Sequence, residues 1–235
     1  MVYCDLQLDE SGTFTGKITY TDSKYQAYYL RKDLKAHNSL EEHISELESK
    51  FPGLTIESFI YEDIDSVYKP VKEIYNVSIT GYADIIGDMI SVNPMLMERM
   101  DENPFKMEFR KYPIDYGHSM RSRYILNVKL PNGYQVSELP KSCNLVLPEK
   151  SGRFTYNTTV KDNILQLISN FDISKTVFTE GEYLLVKEFY NQIIAKHKEV
   201  IMIKKPIWIS LIYNYFQNEK TAIHFHNALL SGVID

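Results

Sequence analysis

The chain has 235 residues, 44% of them hydrophobic and 13% aromatic, enough apolar mass for one large or two ordinary packed domains and too much for a disordered chain. Its net charge of −5 speaks against a nucleic-acid partner, which would want a basic face. Two cysteines, Cys4 and Cys143, are too few for a disulfide scaffold; a single bridge between them is open, and two free thiols is the reading adopted.

Residues 5–20 predict a hairpin. Asp9, Glu10, Ser11 and Gly12 form a turn cluster. Phe14, Ile18 and Tyr20 then share one face at period two, with Thr13, Thr15, Lys17 and Thr19 opposite. A further strand or a short helical turn follows over 25–34. Residues 39–51 predict a helix: Ser39 caps it, Glu42 completes a capping box, and Leu40, Ile44, Leu47 and Phe51 form one apolar stripe before Pro52-Gly53 stops it. Strands are expected over 54–61 and 71–80, with Val71, Tyr75, Val77 and Ile79 on one face, and a short strand over 89–92 precedes a helical turn at 95–100.

The stretch 103–117, NPFKMEFRKYPIDYG, is the expected seam between two domains, with Phe105, Phe109 and Tyr112 packing against either side. Beyond it Tyr124, Leu126, Val128 and Leu130 alternate in a strand, and Pro131-Asn132-Gly133 marks a turn. Strands over 134–139, 143–147, 152–160 and 164–171 follow at the spacing of an antiparallel sandwich. Thr179 and Glu182 predict a second capping box, opening a helix whose stripe is Leu185, Val186, Phe189, Tyr190 and Ile193. Residues 200–203 make a last edge strand. From Pro206 the tail holds Trp208, Leu211, Ile212, Tyr215 and Phe216 at helical spacing, an amphipathic appendage for docking or self-association through 206–216.

The fold class expected is therefore mainly β with some α, in two sandwich-like domains. Residues 1–102 form an α+β unit with one packed helix, 103–205 an antiparallel sandwich with a C-terminal helix, and 206–235 the tail. No stretch reaches the roughly 18 apolar residues that span a bilayer. The first ten residues lack the basic and apolar regions of a signal peptide.

Several segments bear on function. LDESGTFTGKITYTDSKYQAYYLRKDL, GYADIIGDMISVNPML, ENPFKMEFRKYPIDYG and KLPNGYQVSELP resemble the C-terminal portion of bacterial transglutaminase-like proteins over about residues 3–205, most specifically at 102–140, and TVFTEGEYLLVKEFYNQI agrees with that family's closing helix. The tail from Pro206 departs from the pattern. The resemblance implies that the catalytic Cys, His and Asp of that family lie in a core preceding Met1, so none maps onto this chain. It also implies an accessory role beside a transglutaminase-like catalytic domain in cis or in trans, and a periplasmic or cell-surface location.

No residue set amounts to a catalytic signature, a cofactor site or a metal site, so the expectation is a non-catalytic module with no cofactor. Cys143 lies on a strand face with Leu145 and Leu147, and Cys4 stands beside Asp5; neither setting favours a thiolate. His224 and His226 would chelate only from a strand. His118 could act with Asp115, and Glu62, Asp63 and Asp65 could offer oxygens to Ca²⁺; surface and solvated readings are preferred. Lys106, Arg110, Lys111, Arg121 and Arg123 could meet an acidic partner or simply cover aromatic surface. The alternative to an accessory module is a glycan- or peptide-binding sandwich, which requires a cleft lined by solvent-facing aromatics.

Overall fold

The computed structural model describes residues 1–206; the expectations placed on the tail, including Trp208, Phe216, His224 and His226, lie outside them. The first element is the expected hairpin, strands β1 (Val2–Leu8) and β2 (Phe14–Asp22) in register from Val2↔Tyr20 to Leu8↔Phe14. Its turn is held by Asp9, whose Oδ1 accepts from the Ser11 and Thr13 amides at 2.8 and 2.9 Å. Gly16 lies at φ +146 against the Asp5 carbonyl oxygen, a position with no room for a Cβ.

Residues 25–34 belong to neither a strand nor a single turn. They form helix α1 (Tyr25–Ala36), so two helices rather than one precede residue 103. Ala27 and Leu34, seven apart, anchor its inner face. Helix α2 (Leu40–Lys50) starts where Ser39 Oγ accepts from the Glu42 amide at 3.2 Å. The Glu42 carboxylate reaches past the cap to the backbone N–H and Nδ2 of Asn38, at 2.7 and 2.9 Å. Strands β3 (Leu54–Glu62) and β4 (Val71–Ile79) follow, and β4 buries Val71, Tyr75, Val77 and Ile79 on one face, together with Glu73. Strands β5 (Ala83–Ile86) and β6 (Met89–Val92) form a short hairpin ahead of a 3₁₀ turn at Leu96–Glu98.

In the second half come β7 (Ile114–Asp115), β8 (Met120–Lys129), β9 (Gln135–Glu138), β10 (Cys143–Val146), β11 (Gly152–Lys161), β12 (Ile164–Ile173) and β13 (Val177–Phe178). Helix α3 (Tyr183–His197) and β14 (Ile201–Lys204) close the described region. The Thr179–Glu182 capping box forms as expected. From α3, Val186, Phe189, Tyr190 and Ile193 are buried, while Leu185 faces out.

The strands assemble into a mixed eight-stranded sheet, in the order β10-β11-β12-β8-β1-β2-β4-β3, a four-stranded antiparallel sheet, β5-β6-β14-β9, and the β7–β13 pair. The described residues are thus mainly β with three α-helices. One parallel pairing, β1 with β8, runs from Val2↔Tyr124 to Gln7↔Lys129. It joins strands from both sides of the 102/103 position into one sheet over one continuous buried cluster. Strand β14 is interior rather than an edge, since it bonds β6 on one side and β9 on the other.

The segment 103–117 packs on one side, not two. Asn103 Nδ2 donates to the Lys187 carbonyl (2.8 Å) and Asn191 Oδ1 (2.7 Å), which fixes the segment to α3. Phe105 is buried edge-on against Tyr116, Tyr183 and Tyr190. Phe109 and Tyr112, expected to pack as well, are 66% and 76% exposed. Residues 106–113 run along the surface before Tyr116 returns to Tyr190 of α3, so both rings face solvent.

Candidate functional site

Helix α1 turns an unusual face to solvent. Tyr25, Tyr28 and Tyr29 lie at i, i+3 and i+4, with Lys32 and Lys35 continuing the same stripe. The three rings are 59%, 59% and 63% exposed although burying a tyrosine is favourable. Tyr28 and Tyr29 meet edge to face at 5.5 Å, and the His118 ring stacks flat on Tyr25 at 5.2 Å. Together with Lys24, Arg31 and Val67 these residues line a groove of 780 Å³ that carries four cations and no carboxylate. In a chain of net charge −5 this is a local reversal of sign.

Arg31 fixes the groove's floor. Its Nε donates to the Ile64 carbonyl at 2.8 Å, and its Nη2 to the carbonyls of Asp63, Ser66 and Lys69 at 3.0, 2.7 and 2.9 Å. One guanidinium therefore organises the loop 63–69 and holds Val67 beside the tyrosines. The loop's carbonyl oxygens thus converge on a cation the protein supplies. Two of the run's three carboxylates pair with lysines, Asp63 with Lys69 Nζ (2.8 Å) and Glu62 with Lys72 Nζ (2.9 Å).

A second cluster lies where α1 gives way to α2. Asp33, His37 and His43 each place one ligand-type atom within 4.8 Å of the others, a set that could hold a metal ion. His37 Nδ1 lies 2.9 Å from the Asp33 carbonyl oxygen and Nε2 lies 2.8 Å from Glu46 Oε2. Both contacts favour the imidazolium, and the Glu46 carboxylate, then the Asp33 carbonyl, raise the His37 pKa above its ordinary value.

The residues singled out by sequence are not brought together. Cys4 is buried in β1, and burial, with Glu98 adding to it, pushes its thiol up to about 12. Cys143 lies in β10, four strands away across β11, β12 and β8, roughly 19 Å at the usual strand spacing and far beyond disulfide reach. Both thiols are free. His118 does not work with Asp115: the Asp115 carboxylate accepts from the Gly117 amide at 2.8 Å while the imidazole covers Tyr25. Of the basic run, Lys106 pairs with Glu102 and Arg121 with Asp172, and Arg110, Lys111 and Arg123 are exposed. The tyrosine face was missed because aromatic residues suggest strands; the helical spacing of Ala27 and Leu34 inside and Tyr25, Tyr28 and Tyr29 outside was the available signal.

Residues 88–203 match a family model. It is DUF3858, a Domain of Unknown Function with solved-structure structure. The DUF3858 match runs from just ahead of β6 into β14 and leaves out α1, α2 and the first five strands. Its name assigns no activity, and the transglutaminase-like expectation rests on the sequence resemblance alone. No curated protein matches the chain. A solved structure titled "putative protease" from Parabacteroides distasonis ATCC 8503 is similar at 16% identity and a TM-score of 0.37, over 42% of this chain. The similarity covers 19% of that protein's length. Among the described residues no helix is long and apolar enough to cross a membrane.

Proposed function

We propose that the chain is a non-catalytic interaction module that seats an acidic protein surface on the tyrosine face of α1. The observation that carries this is the groove itself: three exposed tyrosines on one helical face, ringed by Lys24, Arg31, Lys32 and Lys35 without an opposing carboxylate. Tyrosine and arginine are the residues that concentrate binding energy at protein interfaces, because they bring large rigid area with a polar tip. The surrounding lysines add steering toward negative charge, an effect that salt screens. The buried, poorly ionised Cys4 supports a non-catalytic role, since a nucleophile needs its thiolate.

The resemblance noted in the sequence supplies the partner we name, a transglutaminase-like catalytic domain in cis or in trans, in the bacterial envelope. The test mixes the purified chain with such a domain in sedimentation velocity. A complex that weakens as salt rises and is lost in Tyr28→Ala/Tyr29→Ala and in Lys32→Glu/Lys35→Glu supports the reading. A complex indifferent to both double variants refutes the assigned surface. The same exposed tyrosines favour a second reading, stacking on sugar rings; retention on immobilised neutral glycans that is insensitive to the lysine reversals would select it.

A further inference from the structure

We propose that Asp33, His37 and His43, with Glu46 completing the set, bind one Zn²⁺ ion that clips the end of α1 to α2. The site is independent of the tyrosine groove and of the partner named for it. Asp33 stands in the last turn of α1 and His37 just past its end, while His43 and Glu46 lie at i, i+3 on α2, a spacing that brings side chains onto a common face. Residues 37–39 link the two helices, and the His37 and His43 rings come to 5.1 Å of each other.

The geometry fits a tetrahedral ion better than it fits hydrogen bonding. His43 Nδ1 and Asp33 Oδ2 are 3.4 Å apart. That is long for an N–H···O bond, yet it is the edge of a tetrahedron: metal–ligand distances of about 2.0–2.1 Å at the tetrahedral angle put neighbouring donors roughly 3.3 Å apart. His37 becomes a ligand when the ion displaces the Nε2 proton that Glu46 now accepts. Its Nδ1–H stays on the Asp33 carbonyl at 2.9 Å, the usual way a second contact fixes the tautomer of a metal-bound imidazole. Nε2 now faces Glu46 Oε2 at 2.8 Å, and that carboxylate is mostly exposed and free to turn toward the ion.

The buried ligand carries a second, separate sign. His43 is 6% exposed, and its Nε2 has no hydrogen-bond partner. The closest acceptor is Glu73 Oε2 at 3.9 Å, itself held by the Tyr75 hydroxyl at 2.6 Å. Burying an imidazole with one nitrogen unsatisfied and the other at 3.4 Å from a carboxylate costs stability. A cation bound at Nδ1 offsets that cost and polarises Nε2–H toward the waiting Glu73 carboxylate, the carboxylate–histidine–metal arrangement. Two nitrogens and two carboxylate oxygens are a donor set that suits Zn²⁺, and Co²⁺ substitutes as a coloured probe.

The experiment titrates the full chain, stripped with EDTA and desalted, with Zn²⁺ by calorimetry, and with Co²⁺ by visible absorption. The expected result is one ion per chain, an intense tetrahedral Co²⁺ band, and a melting temperature that rises with Zn²⁺. Asp33→Asn, at an exposed site, should leave the melt in EDTA unchanged, and His37→Ala, whose imidazole is only 11% exposed, is compared with its own melt in EDTA; each should weaken binding at least about tenfold. Three results overturn the proposal: no stoichiometric binding, binding indifferent to both variants, or binding abolished instead by His224→Gln/His226→Gln, which would place the ion on the tail.

Discussion

His197 allows a quantitative test of how the 3₁₀ turn is fastened to the last helix. Its Nδ1 accepts from the Met100 amide at 3.1 Å, its carbonyl accepts from Asn93 Nδ2 at 2.7 Å, and its ring lies edge-on to Phe154. Accepting at Nδ1 requires the neutral ring with its proton on Nε2, and that Nε2 is buried without a partner. Burial lowers the His197 pKa from 6.5 to about 4, against a small opposing pull from Asp101. The folded state thus resists a proton that the unfolded chain accepts. Stability is complete above about pH 6.5, declines as the pH falls, and levels off once the pH has passed the folded value near 4. A separation of about 2.5 pH units at 1.36 kcal/mol each corresponds to roughly 3 kcal/mol, most of it gone by about pH 4.5. Urea unfolding at pH 7 and pH 4.5 measures it. His197→Gln, which keeps an amide acceptor and cannot titrate, should lose that portion of the pH dependence while other groups contribute equally in both proteins. Identical pH dependence in wild type and variant would refute the reasoning.

Three further outcomes follow from the geometry. Gly16→Ala forces a Cβ into the Asp5 carbonyl oxygen at a φ of +146 and should destabilise the hairpin by on the order of 2–4 kcal/mol in denaturant unfolding. Arg31→Lys gives up the planar fork that binds four carbonyls; a loss of about 2 kcal/mol or more should appear as faster proteolysis and amide exchange over 63–69 with little change in global melting. Ellman's reagent on the native protein should titrate one thiol, Cys143, and a second only after unfolding, because the Cys4 thiol is buried and raised to about 12.

What the sequence disclosed was whatever three or four neighbouring residues decide among themselves. The Asp9–Thr13 turn, the Ser39 cap and the Thr179–Glu182 box all formed where the local pattern put them, since each is a side chain satisfying a nearby amide. The alternation of Tyr124, Leu126, Val128 and Leu130 located a buried strand for the same reason. Partners chosen over long distances were hidden. Nothing near Val2 signals that it will lie beside Tyr124, and nothing near Ile203 signals a neighbour on each side. The candidate sites suffered similarly: solvent-facing aromatics were anticipated in general, but three of them share a face only once 25–36 is helical. Asp33 and His37 come together only at the end of that helix, and His43 joins them from α2.

The β1–β8 ladder also has a bearing on synthesis. As the polypeptide leaves the ribosome, β1 can pair with β2 at once, but its other edge stays open until more than a hundred further residues have been made. Contacts so distant along the chain slow folding, and an open edge invites pairing with a neighbouring nascent chain. A polypeptide ended at residue 102 would keep that edge permanently bare and should accumulate in inclusion bodies, whereas supplying 103–206 as a separate polypeptide should return it to solution.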